Sequence, residues 1–338
     1  MFTAPWPSCV RPQSQLRSRP CRLRASLLDS VMERAAALNA EALARREGAD
    51  QVGKRDGGVK PLQGVAAEVA ASKPGVVSKL LEQTGCLQLN SVLSAPTAAA
   101  LLAFIVEENA RCQAAVLAGD RAFDDCFGGV NCRGLNGPFG QRQDLFLPMA
   151  AAPVRSAVTE LLAALRPFLV ELCGPEAMLH EVSSLVAEPG SPRQCVHADT
   201  IVLPCPQYPD VAMPPLYTFF CALQDVAPDM GPTQFLPFTH TPSAHELWNA
   251  AGRSERLKER FIAAQPAVES SLRCGDVAAF DSRVLHCGCA NSSQRRRVLF
   301  YVTLSRAQTW PLPGGLHGSN SVRAEDRWRW RLDTLVPQ

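Results

Sequence analysis

The stretch that decides the fold is residues 275–304, which read GDVAAFDSRVLHCGCANSSQRRRVLFYVTL. The Gly-Asp pair at its start predicts a turn, and the apolar run Val277–Phe280 then predicts a buried strand. A polar turn around Asn291 leads to a second predicted strand, Arg297–Leu304. Short strands joined by turns in this way are typical of a β-sandwich or β-barrel.

The region upstream shows the same pattern from about Leu179 onward. Short apolar or alternating runs are separated by Pro, Gly and Asp residues, and helical pieces near Ala244–Ala250 and Glu255–Ala263 interrupt them. The further predicted strands are Glu181–Ala187, Gln194–Leu203, Leu216–Leu223, Thr233–Leu236 and Val268–Leu272.

The N-terminal half is more helical. Thr97–Leu117 and Ala152–Leu172 are the best long helices, the second with Pro167 as a possible kink and Gly174-Pro175 as a stop signal. A short strand is predicted at Cys86–Leu89. The expected fold class is therefore mainly β with flanking helices (α+β), built on a double-stranded β-helix, which is a jelly-roll, cupin-like core.

Residues 1–28 differ from the rest of the chain. They hold five arginines and several serines and prolines, with no acid before Asp29. This composition predicts an organelle transit peptide, mitochondrial or plastid. The alternatives are a disordered basic tail on a cytoplasmic protein, or a start codon upstream of the true one. We expect residues 29–75 to form a helix and a flexible linker, and residues 76–338 to form the functional domain.

The composition of the chain limits the classes of binding partner that we expect. The chain has 338 residues, 46% of them apolar and 20% charged, and a net charge of +2. That balance gives no reason to expect nucleic-acid binding. No apolar run is long enough to predict a membrane span, and the oligomeric state is not defined.

The 13 cysteines form no CxxC pair, so reduced thiols are expected. The pair Cys287-Gly288-Cys289 would need further ligands to hold zinc, so we expect no zinc site there.

His197-Ala198-Asp199 lies in a run that is predicted to be a strand. Residues two apart on a strand point to the same side, so the imidazole and the carboxylate can meet one metal ion. His286, which follows the strand Val277–Phe280, can supply a third ligand from a facing strand. Two histidines and one carboxylate make up the facial triad of non-haem iron(II) oxygenases, which leaves three coordination positions for a 2-oxoacid and dioxygen. With Asp199 present, no vacant corner remains for a halide, and halogenation is disfavoured.

A 2-oxoacid with a distal carboxylate also needs a cation, and a guanidinium binds carboxylate best. Arg295-Arg296-Arg297 follows His286 closely. Strand alternation puts Arg295 and Arg297 on one face and Arg296 on the other, and it does not choose between the first two.

Three segments resemble the phytanoyl-CoA dioxygenase family of iron(II)- and 2-oxoglutarate-dependent oxygenases. The first is Gln194-Cys195-Val196-His197-Ala198-Asp199, and the second runs from Gly231-Pro232-Thr233 to Thr239-His240. The third contains Gly275-Asp276, Phe280, Arg283, His286, Gly288 and Asn291 in the family's order. The resemblance covers roughly Val77 to Leu335.

The resemblance implies iron(II), 2-oxoglutarate and O2 as cofactor and co-substrates, with ascorbate as a supporting reductant. It implies that His197, Asp199 and His286 bind the metal and that Arg297, eleven residues after His286, binds 2-oxoglutarate. Arg142 is the candidate for a further basic residue that touches the co-substrate.

Gln194, which flanks the metal ligands, is a candidate pocket residue. Gly288 stands where some family members have a serine that touches 2-oxoglutarate, so one anchoring hydrogen bond is expected to be missing. Phe238 replaces a turn glycine of the family, which we expect to reshape the turn without touching the metal.

The expected function is hydroxylation of a small organic substrate with release of succinate and CO2. Two alternatives remain open. The first is a jelly-roll sensing protein that binds metal and 2-oxoglutarate without turnover. The second is a cupin-like hydrolase that uses the same three ligands for zinc and has no need of Arg297.

Overall fold

The computed structural model describes residues 59–128, 140–202, 204, 215–305 and 329–337. The predicted transit peptide and most of the predicted linker lie outside these residues. The helices are α1 Ala67–Ser72, α2 Pro74–Thr84, α3 Ala95–Ala118, α4 Ala152–Cys173, α5 Pro242–Ala250, α6 Glu255–Ala263 and α7 Leu332–Leu335. Single 3-10 turns occur at Phe123–Asp125 and Pro228–Met230.

Eleven strands form two sheets in this part of the chain. They are β1 Lys60–Pro61, β2 Gly64–Ala66, β3 Cys86–Asn90, β4 Arg142–Phe146, β5 Met178–Ala187, β6 Tyr217–Ala222, β7 Thr233–Phe235, β8 Val268–Ser270, β9 Val277–Asp281, β10 His286–Gly288 and β11 Arg297–Ser305.

The major sheet has seven strands in the order β2-β3-β9-β6-β11-β5-β4. Strand β11 lies near its centre and pairs antiparallel with both β5 and β6. One row of this sheet carries Arg142, Ala187 and Arg297 opposite one another, so their side chains share a face. All nine residues of β11 are buried, because both faces of this strand are covered.

The minor sheet has the order β1-β8-β7-β10 and carries His286 at the start of β10. Apolar residues between the two sheets form a core that includes Phe220, Phe235, Phe280 and Leu299. The opposite face of the major sheet presents Phe219, Val298, Phe300 and Val302 to a second core beneath the helices. Two sheets with a shared apolar interior make the predicted double-stranded β-helix, and its helical flank is confirmed.

Helix α4 is the centre of this flank and packs against α1, α2 and α3. Its buried residues recur at helical spacing and include Val154, Leu161, Leu165 and Phe168. Pro167 lies inside the helix, as predicted. Among the described residues, no helix is both long and apolar enough to span a membrane. The nine cysteines among them are all unpaired, and six of these are buried.

Most predicted elements agree with the structure to within a few residues. Gln194–Leu203 does not: the described residues of this run lie outside the named strands, and their one bridge joins His197 to His286. After this bridge the segment no longer pairs as a strand, because the N–H groups of Asp199 and Thr200 both donate to the Ser282 carbonyl. Strands β1, β2 and β4 were not predicted. The domain start at residue 76 stays a prediction, although residues 60–66 already pair with β3 and β8.

Phe238 adopts the left-handed backbone conformation. Its φ is 68°, a value that favours glycine, and its N–H donates to the Thr84 carbonyl at 2.8 Å. The turn is completed by Thr239, whose hydroxyl donates to the Leu236 carbonyl and accepts from the Leu285 N–H. The turn is therefore kept by hydrogen bonds despite the missing glycine.

We predict that Phe238→Gly is more stable than Phe238→Ala by about 1 kcal/mol. Both variants lose the same ring, so their difference isolates the backbone cost at positive φ. Urea unfolding of the two variants measures it. Equal stabilities would show that this backbone conformation carries no cost.

Candidate metal centre

The centre is built on a pair of backbone hydrogen bonds between His197 and His286. The N–H of each residue donates to the carbonyl of the other, at 2.9 and 2.8 Å. This bridge attaches the ligand-bearing segment to strand β10 and brings the two imidazole rings to a centroid separation of 4.6 Å. Residues from distant parts of the chain therefore become neighbours through the main chain alone.

Asp199 reaches the same point by a tight turn. Its N–H and that of Thr200 both donate to the Ser282 carbonyl, at 2.9 and 3.1 Å, one residue beyond the end of β9. Asp199 Oδ1 lies 3.6 Å from His197 Nε2 and 3.6 Å from His286 Nε2. One ligand atom from each of the three residues lies within 4.8 Å of the other two.

The histidines are prepared to donate Nε2 to a metal. His197 Nδ1 lies 2.8 Å from the Cys195 carbonyl, and His286 Nδ1 lies 2.9 Å from the Val284 carbonyl. A carbonyl can only accept, so each Nδ1 carries the proton and each Nε2 presents its lone pair. Two imidazole nitrogens and one carboxylate oxygen are the donor set that iron(II) oxygenases use, so these residues fit that metal.

The three ligands differ in their burial. The His286 side chain is 4% exposed, whereas those of His197 and Asp199 are 33% and 36% exposed. Burial lowers the pKa of His286, which keeps its imidazole neutral and able to bind a metal. An ion held here would be shielded on the β10 side and reachable on the other.

Two guanidiniums lie on the inner face near this centre. Arg297 is 2% exposed, and its Nη1 donates to the Gly231 carbonyl, while its Nε has no hydrogen-bond partner. Arg142, in the same row of the sheet, donates to the carbonyls of Pro192 and Cys289. Burial and the charge of Arg142 lower the pKa of Arg297 to about 9. This part of the interior suits an anion.

Gln194 and Gly288 are joined to this pocket by a specific contact. Gln194 Oε1 accepts a hydrogen bond from the Gly288 N–H at 2.8 Å. A Cβ on Gly288 would lie 2.6 Å from Gln194 Oε1 and 2.9 Å from Arg142 Nη1. The space that a serine side chain would need at residue 288 is therefore occupied by two other polar groups.

Asn291 connects the turn before β11 to two neighbouring segments of the chain. Its side-chain Nδ2 donates to the carbonyls of Ala187 and Arg295, at 3.0 and 2.8 Å. Its main chain exchanges hydrogen bonds with Gly190 and Ser191, which precede the ligand segment. From the sequence, Asn291 was expected only to be a turn residue, and these hydrogen bonds were not predicted.

The remaining candidates fall outside the ligand group. Of the two arginines that alternation left open, Arg295 is exposed and Arg297 is buried. Arg296 forms an ion pair with Glu188 at 2.8 Å. His240 Nε2 lies 2.9 Å from the Glu82 carbonyl and supports the turn at Phe238.

A double-stranded β-helix with two histidines and one carboxylate at this position defines the class of iron(II)- and 2-oxoglutarate-dependent dioxygenases. The sequence comparison agrees. The model of the family described as Phytanoyl-CoA dioxygenase (PhyH) matches residues 81–299. The chain belongs to this family, and it is an enzyme of this class. No match was found among curated proteins.

Solved structures align with this chain at low sequence identity, and the fold is shared with AviO1. AviO1 from Streptomyces viridochromogenes Tue57 aligns with a TM-score of 0.50 and 19% identity, over 71% of this chain and 98% of that one. The non-heme alpha ketoglutarate dependent carbocyclase SnoK from nogalamycin biosynthesis aligns with a TM-score of 0.46 and 20% identity, over 74% and 88%. The epimerase SnoN from the same biosynthesis, solved in complex with Fe3+ and alpha ketoglutarate, gives 0.48 and 18%, over 75% and 94%.

We predict that Asp199→Ala weakens iron(II) binding by more than about 100-fold, because it removes one of three ligands. Anaerobic calorimetric titration with iron(II) measures the effect. Asp333→Asn, which removes a surface carboxylate paired with Arg331 at 2.5 Å, is the control and should bind as the wild type does. Unchanged affinity in Asp199→Ala would exclude this carboxylate as a ligand.

Proposed function

We propose that this protein hydroxylates a small organic substrate, using His197, Asp199 and His286 to hold iron(II) and Arg297 to hold 2-oxoglutarate. The observation that carries the proposal is the combination of two features. Three ligand atoms lie within 4.8 Å of one another, and a buried arginine, Arg297, whose Nε has no hydrogen-bond partner, lies on the inner face of the major sheet. A hydrolase of the same fold would have no use for that arginine.

The three ligand residues have different roles. His286 and His197 are fixed by their backbone bridge and by the carbonyls on their Nδ1 atoms, and Asp199 supplies a negative charge. Bound iron(II) would couple reduction of dioxygen to the oxidative decarboxylation of 2-oxoglutarate, giving succinate and CO2. The exposed sides of His197 and Asp199 leave room for a substrate next to the ion.

The arginines would position the co-substrate. The Arg297 guanidinium is protonated at neutral pH, since its pKa is about 9, and a carboxylate bound to it would offset the unfavourable burial. Arg142 adds a second positive charge in the same row. Gln194 fixes the Gly288 main chain, and with it the end of β10 beside Arg142.

We predict that Arg297→Met raises the 2-oxoglutarate concentration for half-maximal succinate release by roughly 10- to 100-fold, the effect of losing a charged hydrogen bond. Arg296→Met is the control. It should change this concentration little, because Arg296 pairs with Glu188 instead. Succinate measured in the presence of iron(II) and ascorbate gives both values. A zinc hydrolase would show no dependence on 2-oxoglutarate and no effect of Arg297→Met.

We predict that Gly288→Ser weakens 2-oxoglutarate binding, although some relatives carry serine here. The new Cβ would displace Gln194 Oε1 and Arg142 Nη1, which lie 2.6 and 2.9 Å from its position. The double variant Gly288→Ser with Gln194→Ala should recover part of the loss. Tighter binding in Gly288→Ser alone would contradict this account of the pocket.

Measurement of turnover distinguishes a sensing protein from an enzyme. A sensor would bind iron(II) and 2-oxoglutarate, as a titration would show, yet release no succinate under air. Sustained succinate release, dependent on Arg297 but not on Arg296, supports the dioxygenase.

We also propose that residues 1–28 direct the protein to an organelle. Their arginine-rich, acid-poor composition supports this. Fluorescent fusions with and without these residues test the proposal, and an identical diffuse distribution of the two would refute it.

A further inference from the structure

The turn that joins β9 to β10 holds two of the three candidate metal ligands. The Ser282 carbonyl accepts hydrogen bonds from the N–H groups of Asp199 and Thr200. The Val284 carbonyl, two residues further on, accepts a hydrogen bond from His286 Nδ1 at 2.9 Å. One short turn therefore fixes the main chain of one ligand and the ring of another, so its conformation decides how the two ligand atoms approach an ion.

The direction of the Ser282 carbonyl is set by an ion pair within the turn. A peptide unit is planar, so this carbonyl is fixed when the Arg283 N–H of the same unit is fixed. That N–H donates to Asp281 Oδ1 at 2.9 Å. The guanidinium of Arg283 adds two more hydrogen bonds to the same carboxylate, from Nε to Oδ1 at 2.8 Å and from Nη2 to Oδ2 at 2.5 Å. One carboxylate therefore binds both the main chain and the side chain of Arg283.

The next peptide unit is held from both of its sides. Its N–H, which belongs to Val284, donates to the Asp281 carbonyl at 2.8 Å. Its carbonyl, which belongs to Arg283, accepts a hydrogen bond from His245 Nε2 at 2.7 Å. His245 is a buried residue of helix α5. Because a carbonyl can only accept, Nε2 of this histidine carries the proton. Rotation of the unit would break both hydrogen bonds.

The third peptide unit, which contains the carbonyl that orients His286, is held in the same way. Its N–H, that of Leu285, donates to the Thr239 hydroxyl at 2.9 Å. Three consecutive units of the turn are thus fixed by groups outside it or by Asp281. The ring of His197 is instead oriented by a carbonyl of its own segment. The turn therefore acts on two of the three ligands.

The burial of the ion pair separates a positioning role from a simple connection of two strands. The side chain of Asp281 is 3% exposed and that of Arg283 is 20% exposed, so both charges have lost most of their water, which is costly. Many turn conformations could join β9 to β10. Only those that direct the first and third carbonyls toward Asp199 and His286 keep the ligand set together, and the ion pair selects such a conformation.

We propose that Asp281, Arg283 and His245 are positioning residues of the metal centre. They fix the β9–β10 turn, so that Asp199 Oδ1 and His286 Nε2 are held 3.6 Å apart, close enough to meet one ion. The three residues have this role only if Asp199 and His286 bind iron(II), so the proposal rests on the proposed function.

Iron(II) binding by two variants of His245 tests the proposal. His245→Leu removes the donor to the Arg283 carbonyl, whereas His245→Gln keeps an N–H at a similar reach in a side chain of similar size. Anaerobic calorimetric titration of the full-length protein with iron(II) should show affinity about threefold to tenfold lower in His245→Leu, the effect of one neutral hydrogen bond. His245→Gln should recover most of this loss.

A variant of Arg283 tests the ion pair. Arg283→Met removes the two guanidinium contacts to Asp281 and should weaken iron(II) binding roughly tenfold or more, because both are charged hydrogen bonds. Arg331→Met is the matched control. Arg331 also forms a two-point pair with an aspartate two residues away, Asp333, but outside this turn, so the variant should bind iron(II) as the wild type does.

Urea unfolding of every variant, measured alongside, restricts the titrations to conditions in which the protein is folded. A residue that served stability alone would lower the unfolding midpoint and leave the iron(II) affinity of the folded protein unchanged. If Arg283→Met does not fold, the comparison of His245→Leu with His245→Gln still decides the outcome.

Two outcomes would overturn the positioning role and leave the proposed function intact. They are wild-type iron(II) affinity in folded His245→Leu, and equal losses of affinity in His245→Leu and His245→Gln, each with a wild-type protein that binds iron(II) and releases succinate. A wild-type protein that bound no iron(II) would instead refute the proposed function, and the positioning role with it.

Discussion

The two reciprocal backbone hydrogen bonds between His197 and His286 are the constraint on which the site depends. Strand β10 is only three residues long, and the segment that carries His197 is not a strand. The main chain nevertheless brings the two residues together. The carbonyls of Cys195 and Val284 then orient each ring, so that Nε2 of each histidine is left to bind a metal.

Charge placement is the second feature of the interior. Arg297 is almost completely buried, and Arg142 lies in the same row of the major sheet. These two positive charges would match a carboxylate of the proposed co-substrate, whereas Asp199 offers the negative charge that a metal cation would need.

The candidate metal ligands could be predicted from the sequence. A site of two histidines and one carboxylate needs only three side chains, and two of them are close together in His197-Ala198-Asp199. The reason given for the His197–Asp199 pair was only partly right. The two side chains converge as predicted, but through a turn tied to Ser282 rather than through strand alternation. Alternation alone did not choose between Arg295 and Arg297, and the two differ in the structure because Arg297 is buried in β11 whereas Arg295 precedes this strand and is exposed.

Other features depend on contacts that a single sequence does not show. Strand β4 was missed because its sequence RQDLF turns polar side chains inward, against the usual pattern of a buried strand. Gly288 was interpreted as the loss of a hydrogen bond, whereas the structure places Gln194 and Arg142 in the space of the missing side chain.

The hydrogen bonds of Asn291 have a consequence for how the chain tolerates mutation. This residue ties the turn before β11 to the end of β5 and to the segment that leads to His197. Loss of its amide would release the turn from the end of β5, whereas the main-chain bonds to Gly190 and Ser191 would remain.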